Sequence, residues 1–139
     1  VRIEHGTTVG RRDYLLLSKQ SDRGMGRLKP DVLVVSGSRV TAVIDAKYKR
    51  LAFSRERPSG VDQADLYQLA AYASRYEPEH VAALVYPHDG ATAAAAAEAL
   101  GPWRGGEETF VFQRLPTDAA SCREQLASLI APRVSAAAG

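Results

Sequence analysis

The stretch Val40-Thr41-Ala42-Val43-Ile44-Asp45-Ala46-Lys47 decides how this chain is organised. Its first five residues are β-branched or small and apolar, which is typical of a strand buried on one or both faces. Successive side chains of a strand point to opposite faces, so Asp45 and Lys47 share a face and Ala46 points away. An acid and a lysine at the end of a buried strand are costly to desolvate, which indicates partners or a chemical role.

A second apolar strand is predicted just upstream, where Pro30-Asp31 precedes Val32-Leu33-Val34-Val35. The turn residues Ser36-Gly37-Ser38 separate the two strands and make them a hairpin. A hairpin of this length can bring Asp31 alongside Asp45. Two carboxylates and a lysine then converge at one end of the predicted sheet. The alternative is an ordinary salt bridge between Lys47 and one aspartate.

Bulk composition predicts one globular domain over residues 1–139, with a frayed tail at 133–139. The chain has a single cysteine, which cannot form an internal disulfide and so favours a reducing, cytoplasmic setting. No apolar run approaches the ~20 residues that span a bilayer, so no membrane association is expected. The sequence starts with Val1 rather than Met, and we expect a fragment of a longer chain.

Charge is distributed unevenly along the sequence. Residues 1–57 hold 13 Lys/Arg and 6 Asp/Glu, a balance of +7, whereas residues 58–139 balance at −5. Basic residues in the first part lie on predicted loops around the acidic pair, where a phosphate backbone could approach, although a solvated face is the alternative. The predicted DNA-contacting residues are Arg23, Arg27, Lys29, Lys49, Arg50, Arg55 and Arg57.

The remaining elements alternate between strands and helices. The end of a helix is predicted at 1–4, strands at 14–19, 31–36, 39–48, 80–86 and 109–112, helices at 62–76, 91–100 and 118–131, and loops at 20–29 and 49–60. The first three strands are expected to form a meander. This order predicts an α/β sandwich around a mixed sheet.

The helix predicted at 62–76 has two distinct faces. Asp65, Gln68 and Tyr72 lie at i, i+3 and i+7, which places them on one contiguous stripe. Asp65 could position Lys47 or remain solvated. An apolar stripe beside it comprises Leu66, Leu69, Ala70 and Ala73. Tyr48 and Tyr67 are predicted to be packing residues.

These motifs together resemble a known family. Pro30-Asp31 followed by Asp45-Ala46-Lys47 is similar to the signature of the PD-(D/E)xK nuclease superfamily, and Gln68 and Tyr72 have the Gln-xxx-Tyr spacing of its RecB-like branch. Four segments in order resemble the C-terminal nuclease domain of McrC, the cleavage subunit of modification-dependent McrBC restriction systems. They are 28–31, 44–49, 65–73 and 84–87.

The resemblance implies a restriction-endonuclease-like sandwich, a central mixed sheet flanked by helices, with Mg²⁺-dependent endodeoxyribonuclease activity. The implied catalytic residues are Asp31, Asp45, Lys47, Gln68 and Tyr72. Asp31, Asp45 and the Ala46 carbonyl would bind Mg²⁺, for which Mn²⁺ could substitute. Lys47 would orient the attacking water or stabilise developing charge, and would act as a base only with a lowered pKa.

Partners are also implied by the resemblance. They are DNA, a McrB-like AAA+ GTPase that docks on regions outside this chain, and a second nuclease domain for double-strand cleavage. Many relatives carry a further glutamate before the first strand; Glu4 is a candidate that we leave unassigned. The alternative function is a catalytically inactive nucleic-acid-binding or assembly module that retains the nuclease fold.

Overall fold

A computed structural model describes residues 2–4, 13–21, 23–49, 52–54, 57–59, 61–88, 99–116 and 118–131. Its strands are β1 Arg2–Glu4, β2 Tyr14–Leu17, β3 Gly24–Arg27, β4 Val32–Ser36, β5 Arg39–Ala46, β6 Ala52–Ser54, β7 Arg57–Ser59, β8 Val81–His88, β9 Ala99–Gly105 and β10 Glu108–Pro116. Its helices are α1 Gln63–Tyr76 and α2 Ala119–Ile130.

Six strands form the main sheet, in the order β1-β4-β5-β8-β10-β9. The central strands β5, β8 and β10 run parallel, whereas β1, β4 and β9 pair antiparallel with their neighbours. Helix α1 is the crossover between the parallel strands β5 and β8, as parallel pairing requires. The predicted α/β class, with a mixed sheet flanked by helices, is therefore confirmed.

The two helices in the described part of the chain cover opposite faces of the sheet. Alternate residues of β8 face opposite ways: Leu84 lies in one apolar cluster with Leu69 of α1, and Ala83 lies in another with Leu129 of α2. Every residue from 81 to 86 is buried, which explains why this strand is a continuous apolar run rather than an alternating one.

The β4–β5 hairpin forms as predicted. Gly37 adopts a φ of 62° in the two-residue turn, a conformation that favours glycine. A bulge separates Val34 from Val35 in the pairing with β5, and the Thr41 hydroxyl donates a hydrogen bond to the Val34 carbonyl at 3.1 Å. Val32 pairs with Ile44. Asp31, which precedes β4, and Asp45, which follows Ile44 in β5, therefore lie at the same end of the hairpin.

Several predicted elements are wrong in the first third of the chain. Arg2–Glu4 is a strand on β4, not a helix end, and it occupies the edge that the predicted meander gave to β2. Strand β2 pairs instead with β3, which lies within the predicted loop 20–29. The glycines of this segment are typical of a loop, which is why a loop was predicted. Gly24 instead lies in a strand beside the Tyr14 ring, where a Cβ atom would be 2.1 Å from that ring.

Further differences concern later segments. The predicted loop 49–60 contains the hairpin β6–β7, and β8 continues through Pro87 to His88. Residues 99–100, predicted as the end of a helix, begin strand β9, which tolerates Pro102 because it is an edge strand. The rest of that predicted helix, 91–98, and the tail 133–139 lie outside the described residues.

Candidate active site

Asp31 and Asp45 come together at the end of the β4–β5 hairpin. The Ala46 backbone N–H donates to Asp31 Oδ2 at 2.8 Å, and the Asp31 N–H donates to Asp45 Oδ1 at 3.3 Å. The two carboxylates are thus fixed by each other's strands. Asp45 is 5% exposed, whereas Asp31 is open to solvent.

The proximity of Asp31 and Asp45 affects the ionisation of the Asp45 carboxyl group. Burial raises the pKa of Asp45, the hydrogen bond from Lys47 opposes this, and the nearby Asp31 charge raises it further, so that the pKa lies above its usual range. The negative charge of the Asp45 carboxylate is therefore only partly compensated by protein groups.

Lys47 is held by three acceptors, which matches the three donors of an ammonium group. Its Nζ lies 2.7 Å from Asp45 Oδ2, 2.8 Å from Gln68 Oε1 and 3.4 Å from Asp65 Oδ1. The Lys47 N–H also donates to the Val85 carbonyl at 2.9 Å, which extends the β5–β8 ladder beyond the end of β5. Burial acts to lower the pKa of Lys47, but Asp45, assisted by Asp65, outweighs it and the pKa is raised.

Helix α1 supplies the other side of the site. Gln68 and Asp65, which the spacing predicted to share one stripe of the helix, both contact Lys47, and Asp65 also lies 3.1 Å from Lys49 Nζ. Burial would raise the pKa of Asp65, but the two lysines lower it. Asp62 at the N-cap makes no side-chain capping bond and contacts Lys49 instead. Sequence reasoning left Asp65 between a positioning role and solvent; its place three residues before Gln68 is the signal that identifies it.

Tyr72 lies in the buried core and does not contact Lys47. It is 3% exposed and belongs to the apolar cluster that contains Leu33 and Tyr76. Burial, followed by the charges of Asp45 and Asp31, raises the pKa of Tyr72 to about 12. The hydroxyl therefore remains protonated at neutral pH.

The exposed face of the helix differs from its prediction. Leu66 is 38% exposed and Ala70 is also exposed, so the core face of α1 consists of Leu69, Tyr72, Ala73 and Tyr76. The packing roles predicted for Tyr48 and Tyr67 are wrong, because their exposures are 95% and 62%. In the sequence, Tyr48 lies between Lys47 and Lys49.

The predicted DNA-contacting cations divide into four groups. Arg23, Arg27 and Lys29 are exposed, and Arg27 lies on strand β3 rather than on a loop. Lys49 is engaged by two carboxylates. Arg57 begins β7, and Arg50 and Arg55 fall outside the described residues.

The donor set fits a hard divalent cation that keeps several waters. Among the described residues, no three His, Cys, Asp or Glu side chains gather into a group that could hold a metal ion by themselves. In an extended strand the N–H and C=O of one residue point to the same side. Since the Ala46 N–H meets Asp31, its carbonyl faces that side too. Two carboxylates and one carbonyl leave octahedral positions for water and phosphate oxygens, as Mg²⁺ prefers.

The upstream glutamate stays open. Glu4 pairs with Leu33 in the β1–β4 register, so its backbone lies two residues from Asp31 along β4.

This fold and site define a restriction-endonuclease-like α/β sandwich with two aspartates and a lysine at the end of its central hairpin. The family described as "McrBC 5-methylcytosine restriction system component" matches residues 4–87, more than half of the chain and all of the site. The chain belongs to this family. None of the curated proteins matches it. In the part of the chain that the structure describes, no helix combines the length and apolar character needed to cross a bilayer.

Proposed function

We propose that this chain is the Mg²⁺-dependent endodeoxyribonuclease domain of a McrBC-like restriction system, of the PD-(D/E)xK type and equivalent to the C-terminal nuclease domain of McrC. The observation that carries the proposal is the pair of hydrogen bonds that joins the two aspartates across the β4–β5 hairpin, from the Ala46 N–H to Asp31 and from the Asp31 N–H to Asp45, with Lys47 at the same strand end. Membership of the restriction-system family supports it.

Asp31, Asp45 and the Ala46 carbonyl would hold Mg²⁺ or Mn²⁺. A bound divalent ion supplies Lewis acidity at the scissile phosphate and lowers the pKa of a bound water. The raised pKa of Asp45 supports this assignment, because its carboxylate lacks full compensation from protein groups.

Lys47 serves as a fixed positive charge rather than as a base. Its contacts with Asp45 and Asp65 favour the ammonium form, and an ammonium aimed at developing negative charge lowers the barrier without proton transfer. Gln68 and Asp65 position it, since both contact its Nζ from α1. Tyr72 packs in the apolar cluster that includes residues of the β4–β5 hairpin, such as Leu33 and Val43.

Substrate would approach over the exposed side of this site. Tyr48 follows Lys47 in the sequence and is 95% exposed, and an exposed aromatic ring offers a stacking surface for a base. Arg27 and Lys29 are exposed just before Asp31 and would contact phosphates. A McrB-like AAA+ GTPase would direct cleavage to modified sites, and two copies of the domain would cut both strands.

The test compares metal binding and cleavage in matched variants. Asp45→Asn should remain folded, lose Mg²⁺ binding in calorimetric titration and lose Mg²⁺-dependent cleavage of methylated plasmid in the presence of the motor partner and GTP. Glu107→Gln removes an exposed carboxylate in the turn between β9 and β10 and should behave as wild type. Wild-type protein that binds DNA but cleaves with neither Mg²⁺ nor Mn²⁺ would favour the inactive-module alternative.

A further inference from the structure

The hairpin β2–β3, which we call the ribbon, lies outside the main sheet. Its strands form a separate two-stranded sheet, and its base is fixed at two points. Arg75 of α1 donates from Nε to the Tyr14 carbonyl at 2.8 Å, and the Leu28 N–H donates to the Asp13 carbonyl at 2.6 Å. The ribbon is therefore a positioned element with a free outer part, and isolated hairpins of this size need such support.

Apolar side chains are exposed on the outer part of the ribbon. Leu16 and Met25 are direct cross-strand partners, so their side chains emerge next to each other. They are 58% and 69% exposed. Their neighbour Leu15 is also exposed at 42%. Adjacent exposed apolar residues on a structured hairpin indicate a surface that another molecule covers.

The surroundings of this apolar pair are strongly basic. Lys19, Arg23, Arg27 and Lys29 are all exposed, and none of these four has an ion-pair partner among the residues that the structure describes. Unpaired cations around an apolar pair complement a polyanion that also has an apolar interior. Duplex DNA, with phosphates outside and stacked bases inside, has this character.

The ribbon is also continuous with the candidate active site. Strand β3 ends at Arg27, and Leu28, Lys29 and Pro30 lead directly to Asp31. A nucleic acid held at Asp31 would therefore lie within reach of the ribbon.

We propose that the ribbon enters the minor groove of duplex DNA and that Leu16 and Met25 act as an apolar wedge between base pairs beside the cleavage site. Arg23 and Arg27 contact the flanking phosphates. Base-edge reading in the major groove needs hydrogen-bonding side chains, which Leu16 and Met25 lack, whereas minor-groove proteins insert Leu, Met and similar residues between base steps. This inference rests on the proposed function only in that the chain binds DNA.

The experiment measures base unstacking without cleavage. A duplex containing 2-aminopurine is titrated with the purified chain in Ca²⁺ or EDTA, and fluorescence and anisotropy are recorded together. Wild type should bind and increase 2-aminopurine fluorescence. Leu16→Ser/Met25→Ser should abolish the increase, while its affinity falls by about tenfold or less because burial of the wedge and unstacking of the bases oppose each other.

Two further variants make the result specific. Trp103→Ser removes a 43% exposed apolar side chain from strand β9 on the opposite edge of the sheet, and should leave fluorescence and affinity unchanged. Arg23→Gln/Arg27→Gln should retain the wedge but reduce the slope of log affinity against log salt by about 2. Thermal melting should be the same for all of these exposed-site variants.

Competition experiments show which DNA groove the ribbon enters. Netropsin, a minor-groove ligand, should displace the chain, whereas methyl green, a major-groove ligand, should not. Displacement by methyl green alone, full unstacking by the Leu16→Ser/Met25→Ser variant, or absence of any DNA binding by wild type at about 10⁻⁴ M would each overturn the proposal. So would a variant that binds and unstacks DNA normally but loses association with another protein, because the apolar pair would then be a protein-docking surface.

The proposal and the nuclease assignment can fail separately. Unstacking that depends on the ribbon, without Mg²⁺-dependent cleavage, would refute the nuclease activity and leave the ribbon role intact. Cleavage by the full system, with unstacking insensitive to Leu16 and Met25, would refute the ribbon role alone.

Discussion

Replacing Lys47 by methionine tests the energetic role of the charge cluster. The substitution retains an unbranched side chain but removes the cation that contacts Asp45, Gln68 and Asp65. Asp45 then keeps Asp31 as its nearest charged neighbour, and a poorly solvated carboxylate is left without its counterion. We expect the variant to fold but to be less stable than wild type when Mg²⁺ is absent.

The magnitude follows from the burial of the pair. The side chains of Lys47 and Asp45 are 16% and 7% exposed, so they fall between two reference cases. An exposed pair contributes about 0–1 kcal/mol, and removal of one partner of a buried pair costs about 3–5 kcal/mol. We expect a loss of about 2–3 kcal/mol, which in a domain of this size lowers Tm by about 10 °C.

Mg²⁺ should reverse part of this loss if Asp31 and Asp45 form the metal site. A ligand at ten times its Kd stabilises the folded state by about 1.4 kcal/mol. Mg²⁺ binding no longer has to compete with the Lys47 ammonium in the variant, so its Mg²⁺-induced increase in Tm should exceed that of wild type. Circular dichroism melts at several Mg²⁺ concentrations measure both effects.

Two controls decide the interpretation. Lys19→Met makes the same chemical change at an exposed lysine without an ion pair among the described residues, and should not change Tm. Lys47→Met combined with Asp45→Asn should lose the response to Mg²⁺. Equal Tm values for wild type and Lys47→Met, or a Mg²⁺ response that survives in the double variant, would refute the reasoning.

Three other predictions concern separate parts of the molecule. The pKa of Tyr72 is raised from 10.0 to about 12 in the folded state, so its contribution to stability is present below pH 10 and is lost as the pH rises from 10 to 12. In urea unfolding, Tyr72→Phe should remove up to about 2.7 kcal/mol of this loss of stability at alkaline pH. Identical pH profiles for the variant and wild type would contradict this. Tyr48→Ala should leave Tm unchanged, because the side chain is 95% exposed, and weaken DNA binding by about tenfold or more, whereas unchanged affinity would exclude stacking. Asp118 accepts a hydrogen bond from the Ser121 N–H at the start of α2, so Asp118→Ala should cost about 1 kcal/mol in thermal melts without affecting Mg²⁺ binding.

Local signals predicted the hairpin and the helix that position the site. Strand β5 and its turn at Gly37 are encoded by an apolar run and a single permissive residue, and the pairing of Asp31 with Asp45 follows from hairpin geometry alone. Helix α1 was predicted to within a residue, because Asp62 and Pro78 delimit it in the sequence.

Long-range pairing could not be predicted in the same way. Strand β1 is three residues long and exists because it completes the edge of β4, which no local pattern records. The buried face of α1 is rotated from the predicted stripe toward Tyr72 and Tyr76, because the helix packs over the β4–β5 hairpin as well as over β8. Leu66 is consequently exposed at 38%, although its spacing fits a core position.

If Asp31 and Asp45 bind the proposed divalent ion, the three contacts of Lys47 would allow the site to fold without a metal and still to accept one. Without a metal, the ammonium partly compensates the buried Asp45 carboxylate at 2.7 Å. If Asp45 bound a divalent ion, Lys47 would not have to move far, because Gln68 and Asp65 on α1 would still hold its Nζ. Gln68 and Asp65 are therefore the residues that would keep Lys47 in place if a divalent ion compensated the charge on Asp45. Lys49 and Lys47 share Asp65, so removal of this carboxylate would take one contact from each lysine, whereas loss of Gln68 affects Lys47 alone. Loss of Asp65 should therefore impair cleavage more than the loss of Gln68.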